Sequence, residues 1–123
     1  MTQTDRPRVG PKTFILCMAS RIVAEDIAQA IRETRAGAEV DFVTGLARLP
    51  EAIGRAEGLA AVFLETDTLD AGTSAVLRAI EDRGAVAVVS GEAAYLQPPG
   101  PGRHVLPQPF NADMLAAVLR AIP

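Results

Sequence analysis

The chain has 123 residues, of which 49% are hydrophobic and only 4% aromatic, and its formal net charge is -3. This length suits one domain, and the composition predicts a core of aliphatic side chains and excludes a disordered chain. Charges of both signs are scattered, so no basic patch predicts nucleic-acid binding by this domain. No apolar stretch approaches the ~20 residues that a membrane span needs. The polar first residues also lack the pattern of a signal peptide. We expect a cytoplasmic protein that does not bind membranes.

Strand and helix patterns alternate along residues 13–123, after a loose N-terminal tail at residues 1–12. Segments of strand length lie at residues 13–18, 39–43, 59–64, 85–89 and 105–106. Apolar residues at helical spacing follow the first three strands, and Gly37, Gly58 and Gly84 offer helix ends. Pro50 suits the first position of the second helix. The last helix carries an apolar stripe from Met114 to Ile122, with Asn111 as its predicted N-cap.

The first, third and fourth strands are uniformly apolar, which is typical of strands buried on both faces. The chain therefore predicts an α/β fold, an open (βα)₅ doubly wound parallel sheet with right-handed crossovers. Residues 97–102 read Gln-Pro-Pro-Gly-Pro-Gly and forbid a regular helix. The fourth helix is therefore expected to be shortened to about residues 92–96 or lost. Residues 97–102 are interpreted as a loop, with a short docking ligand for another domain as the alternative.

Isolated nucleophiles and ligands do not form a catalytic set in this sequence. Cys17 lies in an apolar run, so we interpret it as a buried, inert thiol. His104 has no second histidine and no metal-ligand spacing, which favours a surface residue. The first strand–helix turn contains no glycine and no phosphate-binding fingerprint occurs. We do not expect an enzyme.

In an open α/β sheet, the functional crevice lies at the carboxyl ends of the strands. The residues that follow the strands there are Ala19-Ser20, Glu65, Ser90-Gly91 and Gln108-Pro109-Phe110. Their order and spacing over residues 13–122 resemble the receiver domains (CheY-like) of bacterial response regulators, which act in two-component and phosphorelay signalling. The resemblance implies the strand order 2-1-3-4-5 and a cis peptide bond at Gln108–Pro109.

The same resemblance implies a degenerate receiver. Ala19 and Ser20 match the acidic pair that holds a metal ion in the family, and Glu65 matches the phosphoaccepting aspartate. Ser90 matches the family's serine or threonine. Gln108 replaces the lysine, and Val105 replaces an aromatic switch residue. Without the acidic pair we expect no Mg²⁺ cofactor, because magnesium needs carboxylate ligands. Phosphoryl transfer without that cation should be very slow.

Three interpretations of Glu65 remain open at this point. It is a solvated carboxylate paired with Arg21, a built-in mimic of phosphoaspartate that reaches toward Ser90, or a ligand-binding carboxylate. The favoured function is a phosphorylation-independent interaction or dimerisation module, which contacts a protein partner or a second copy through the last strand and last helix. The alternatives are an active receiver phosphorylated at Glu65 or Asp67, and a small flavodoxin-like ligand-binding protein.

Overall fold

The computed structural model describes residues 12–67, 70–92 and 102–123, and within them the chain forms five strands and four α-helices. The strands are β1 (Thr13–Cys17), β2 (Glu39–Phe42), β3 (Leu59–Glu65), β4 (Val86–Ser90) and β5 (Arg103–Val105). The helices are α1 (Arg21–Thr34), α2 (Leu49–Arg55), α3 (Ala71–Asp82) and α4 (Ala112–Ala121), with a 3₁₀ turn at Leu46–Arg48 before α2.

All strand pairs in the sheet are parallel, and the strand order is β2-β1-β3-β4-β5. This is the predicted doubly wound order, with β1 and β3 at its centre. Strands β3 and β4 are buried along almost their whole length, because helices cover both faces of the sheet. The prediction of an open α/β fold is confirmed.

Alternation along the strands divides the core into two layers. Ile15, Val62 and Val89 face the layer that contains the buried residues of α2 and α3. Phe14 and Phe63 face the opposite layer, with the buried residues of α1 and α4. Successive side chains of a strand point to opposite faces, so the uniformly apolar strands supply both layers at once.

Several predicted boundaries differ from the observed ones. Strand β5 begins at Arg103, two residues before the predicted apolar pair, since an edge strand tolerates polar residues that pair with only one neighbour. Strand β4 ends at Ser90 instead of at residue 89. Helix α2 begins at Leu49, so Pro50 is its second residue rather than its first.

Two of the predictions fall on segments outside the described part of the chain. The predicted tail at residues 1–12 has only Lys12 among the described residues. The shortened fourth helix and the Pro/Gly loop fall largely on residues 93–101, which are also outside them.

Two arginines cap helices at the amino-terminal edge of the sheet. Arg35, just after α1, donates from Nη2 to the carbonyl oxygens of Leu119 (2.7 Å) and Ile122 (2.5 Å) at the end of α4. Arg83, just after α3, donates to the carbonyl oxygens of Ile53 and Ala56 at the end of α2. Both guanidinium groups thus bind carbonyls at the end of a helix, where the regular pattern of intrahelical donors stops.

None of the helices found in the described residues is both long enough and apolar enough to cross a lipid bilayer.

Candidate functional site

The carboxyl edge of the sheet brings the ends of four strands together. Cys17 pairs with Leu64, and Glu65 pairs with Ser90, so the residues after β1, β3 and β4 lie side by side. The amide of Leu106 donates to the carbonyl oxygen of Val89, which extends the same edge to the segment after β5. The structure therefore brings the segments that carry Ala19, Ser20, Glu65, Ser90 and Gln108 to one edge.

The turn between β1 and α1 contains Ala19 and Ser20, both exposed. Ser20 has extended backbone angles and is the N-cap of α1, where its Oγ accepts from the amide of Val23 at 3.3 Å. This bond satisfies one of the amides that the start of a helix leaves free. At the two positions that the sequence resemblance matches to an acidic pair, this chain thus has a methyl group and a hydroxyl used for capping.

The carboxylate of Glu65 accepts a hydrogen bond across the edge. Its Oε1 lies 2.8 Å from the amide nitrogen of Ala19. The bond joins the end of β3 to the turn that leads into α1, where the helix dipole also favours a negative charge. The predicted pairing with Arg21 is wrong, because Arg21 is bound to Glu25 (Nε to Oε2, 3.0 Å) one turn further along α1.

Ser90 is 2% exposed, and its Oγ has no hydrogen-bond partner among the residues that the structure describes. Its backbone carbonyl accepts from the amide of Thr66 at 3.0 Å. The predicted contact from Glu65 to Ser90 is therefore absent in this arrangement, in which the carboxylate binds the amide of Ala19 instead. Ser90 belongs to the face of β4 that carries Val88, so its hydroxyl lies above the α1–α4 layer of the core.

Gly91 provides a close approach between two backbones. It has φ +86°, and a Cβ at this position would lie 2.7 Å from the carbonyl oxygen of Thr66. A side chain here would therefore both adopt the left-handed region and clash with β3. The small residue after Ser90 is thus required by the packing of the β3 and β4 ends.

The segment after β5 contains a cis peptide bond at Gln108–Pro109, which confirms that prediction. The Nε2 atom of Gln108 is buried and makes no hydrogen bond within the described ranges. Asn111 then caps α4, and its Oδ1 accepts from the amide of Met114 at 2.8 Å, as predicted. Val105 is half-buried on the opposite face of the sheet, against the α2–α3 layer.

Two further acids lie near this edge. Asp67 Oδ1 is 3.5 Å from the amide of Glu92, a long contact at the limit of a hydrogen bond. Asp70, whose role the sequence did not suggest, caps α3 by accepting from the amide of Thr73 at 2.9 Å. An aspartate immediately before a helical pattern is the signal that could have identified it.

Burial raises the pKa of the Cys17 thiol above its ordinary value. The amide of Gly45, which hydrogen-bonds to the sulfur, opposes this rise, and the negative charge of Glu65 adds to it. A thiol that stays protonated is a poor nucleophile and a poor metal ligand. No group of three or more His, Cys, Asp or Glu side chains able to hold a metal ion occurs in residues 12–67, 70–92 and 102–123.

A groove of about 760 Å³ lies at the opposite, amino-terminal edge of the sheet. Its lining includes Lys12, Glu39, Asp41, Arg55 and Glu57, which carry both signs of charge. None of the site residues predicted from the sequence lies in this groove.

No protein-family model matches the sequence, and no curated protein shows a significant match to it. Several solved structures are similar to this chain. The signal receiver domain described for a Luxo repressor protein from Vibrio parahaemolyticus has a TM-score of 0.65 and 18% identity, covering 91% of this chain and 88% of its own. A response regulator receiver protein from Sinorhizobium medicae WSM419 has a TM-score of 0.61 and 18% identity, covering 92% and 97%.

A structure described as adenylate cyclase from Rhodopirellula baltica has a TM-score of 0.65 at 10% identity, covering 92% of this chain and 87% of its own. All three similarities extend over more than nine-tenths of this chain. At these identities the similarity establishes the fold, which is that of a receiver domain.

Proposed function

We propose that this chain is a receiver-type signalling domain of a two-component or phosphorelay pathway that acts by binding a protein partner, without being phosphorylated. The observation that carries the proposal is the hydrogen bond from the Ala19 amide to Glu65 Oε1. In a working receiver, a metal ion links the acids after the first strand to the acceptor carboxylate. In this chain, a direct bond links the same two segments.

The remaining site residues support this interpretation. Ser20 caps α1, and Gln108 is neutral, so neither supplies the charge that phosphoryl transfer requires. Magnesium is usually held by one or two carboxylates with several waters, and Glu65 would have to give up the Ala19 amide to contribute. Resident metal and aspartyl phosphate are therefore not part of the proposed mechanism.

The proposed contact surface is β5 with the outer face of α4. Strand β5 pairs only with β4 within the described residues, so its other edge has backbone groups available for a partner. Its three residues are half-buried, and α4 buries only Leu115 and Leu119 of its ten. The occupant is a partner protein or a second copy of this chain.

Phosphorylation is tested by incubating the protein with a small phosphodonor and Mg²⁺ and then measuring its intact mass. We expect no gain of mass. A stoichiometric gain of one phosphoryl group would refute the proposal and favour an active receiver, with Glu65 and Asp67 as the acids to map by peptide analysis.

The contact surface is tested with a matched pair of variants. Ala117→Arg on α4 and Ala75→Arg on α3 each place a long cation at an exposed alanine, on opposite faces of the sheet. We expect Ala117→Arg to weaken self-association or partner binding, measured by sedimentation, and Ala75→Arg to leave it unchanged. Equal effects of the two variants would contradict the assignment of the surface.

A further inference from the structure

Strand β2 forms the edge of the sheet opposite to β5, and it pairs only with β1 among the described residues. The amides of Glu39 and Val43 donate to carbonyl oxygens along the β1 segment, at 2.9 Å each. Successive amides of a strand point to opposite sides, so those of Val40 and Phe42 point away from β1. The open edge of β2 therefore presents backbone donors and acceptors to an additional strand.

The groove of about 760 Å³ at the amino-terminal edge lies between β2 and the end of α2. Val40 and Phe42 pack against the α1–α4 layer of the core, so the side chains on either side of them project from the opposite face of β2. These side chains are Glu39 and Asp41, and both line the groove together with Ala52 of α2. Its volume lies within the range of about 300–1,000 Å³ that is usual for ligand sites.

The charges that line this groove are mainly negative. Glu39, Asp41 and Glu57 form no ion pair within the described residues. The Arg55 guanidinium forms an ion pair with a carboxylate of its own helix at 3.3 Å, which leaves Lys12 as the cation of the lining without such a partner in the described chain. Three carboxylates thus face one free ammonium group, so the groove attracts basic side chains.

The other face of the same edge offers an aromatic ring. Phe42 is half-buried, and the guanidinium carbon of Arg21 lies 4.2 Å from the centre of its ring. A second groove, of about 510 Å³, is lined by Phe42 and by residues of α1. A strand added to β2 would direct alternate side chains toward the two grooves, since successive side chains of a strand point to opposite faces.

We propose that β2 binds an extended segment of a partner protein as an additional strand, with basic side chains at two alternate positions and an apolar side chain between them. The backbone of the segment pairs with Val40 and Phe42. Its basic side chains lie beside Glu39 and Asp41, and its apolar side chain lies beside the Phe42 ring. This surface is at the other edge of the sheet from β5 and α4, so both surfaces can be occupied at once.

The charges of β2 disfavour a second copy of this chain as the occupant. Two β2 strands paired in register would place Glu39 and Asp41 of one copy beside the same acids of the other. Like charges directly opposite one another destabilise a pair of strands. The acids therefore select against self-pairing and in favour of a basic segment.

Binding is tested by fluorescence anisotropy with a labelled synthetic peptide of sequence Thr-Lys-Val-Lys-Val-Lys-Thr. We expect saturable binding, with amide shift changes centred on Val40 and Phe42 in ¹⁵N spectra of the protein. The matched probe Thr-Val-Val-Lys-Lys-Lys-Thr has the same composition without the alternation and should bind more weakly. A third probe, the first peptide methylated on alternate backbone nitrogens, should not bind, because it cannot pair with β2.

The role of the acids is tested with the double variant Glu39→Gln and Asp41→Asn, which removes both charges and keeps the size of both side chains. It should weaken binding of the alternating peptide by about 2- to 30-fold, as the loss of two cross-strand charge pairs predicts. The variant should fold, because neither carboxylate forms an ion pair in the described residues. Asp82→Asn, at an exposed acid of α3, is the control and should leave the affinity unchanged.

Three outcomes would overturn the proposal. Equal binding of the alternating and matched peptides, or of the wild-type protein and the double variant, would mean that the acids only protect the edge from other strands. Concentration-dependent shifts at Val40 and Phe42 without peptide would assign the edge to a second copy of this chain. Peptide binding that appears only after removal of residues 1–8 would assign it to the chain's own Arg6 and Arg8.

Discussion

Replacement of Glu65 by alanine removes the hydrogen bond that joins β3 to the turn before α1. The bond is short (2.8 Å) and its acceptor is charged, but Ala19 is exposed, so water can replace the carboxylate at its amide. We therefore assign the bond about 0.5–1.5 kcal/mol, at the lower end of the range for such bonds. Loss of a negative charge near the start of α1 adds about 0.3–1 kcal/mol.

The expected loss of unfolding free energy in Glu65→Ala is thus about 1–2 kcal/mol. For a urea slope of about 1–3 kcal/mol/M, the midpoint of unfolding should fall by roughly 0.3–2 M. Glu65→Gln keeps an acceptor oxygen but loses the charge, so we expect about half of this effect. The difference in unfolding free energy between Glu65→Ala and Glu65→Gln should not depend on salt. The loss of unfolding free energy in Glu65→Gln relative to the wild-type protein should decrease in 1 M salt, because salt screens the interaction of the lost charge.

The assay is urea unfolding followed by circular dichroism, with Glu57→Ala as the matched control. Glu57 is exposed and lies just before the other end of β3. A Glu65→Ala midpoint within 0.2 M of the Glu57→Ala midpoint would refute the cross-link between β3 and the turn before α1.

Three further predictions concern other parts of the molecule. Arg35→Ala should lower the unfolding free energy by about 2–3 kcal/mol, because two carbonyls at the end of α4 lose a charged donor. The control is Arg32→Ala at an exposed position, which should change it by less than about 0.5 kcal/mol. Urea unfolding measures both variants. Gly91→Ala should destabilise the fold by about 2 kcal/mol or more, since its Cβ would meet the Thr66 carbonyl, and a thermal shift of less than 2 °C would contradict this. The folded state raises the pKa of the Cys17 thiol, so the unfolded state ionises first as the pH rises above about 8.5. The unfolding free energy of the wild-type protein should therefore fall between pH 8 and 10. Cys17→Ala lacks this thiol, so the difference in unfolding free energy between the two proteins, measured by urea titration, should become smaller over this range.

The sequence predicted the fold well because the strongest signals are local. Uniformly apolar β3 and β4 indicated a sheet covered on both faces, and this is what the core layers contain. Asn111 before a helical stripe correctly predicted the N-cap of α4. The resemblance to receivers supplied the strand order and the cis bond before Pro109, which periodicity alone does not specify.

The partner of Glu65 could not be predicted in the same way. Any residue type supplies a backbone amide, so Ala19 as the donor has no signature in the sequence. The predicted pairing with Arg21 was wrong because Glu25 lies one helical turn away on the same face, and such a local pair forms more readily than a pair across loops. The arginine caps were missed for a related reason, because they bind carbonyls that are distant in the sequence. The separation is 84 positions or more for Arg35 and about 30 for Arg83.

These caps also determine how firmly each end of α1 is held. Arg35 binds the end of α1 to the end of α4. The start of α1 is held by the exposed bond at Ala19, by Arg21 over the Phe42 ring (4.2 Å) and by the buried Ala24. Helix α1 has 14 residues and is about 21 Å long, so a tilt around its Arg35 end moves its first residues the most. A tilt of about 5° around that end would displace the start of α1 by about 2 Å. Loss of the bond at Ala19 would remove one of the constraints on this end of α1, where a displacement of this size would change the surface that a partner meets.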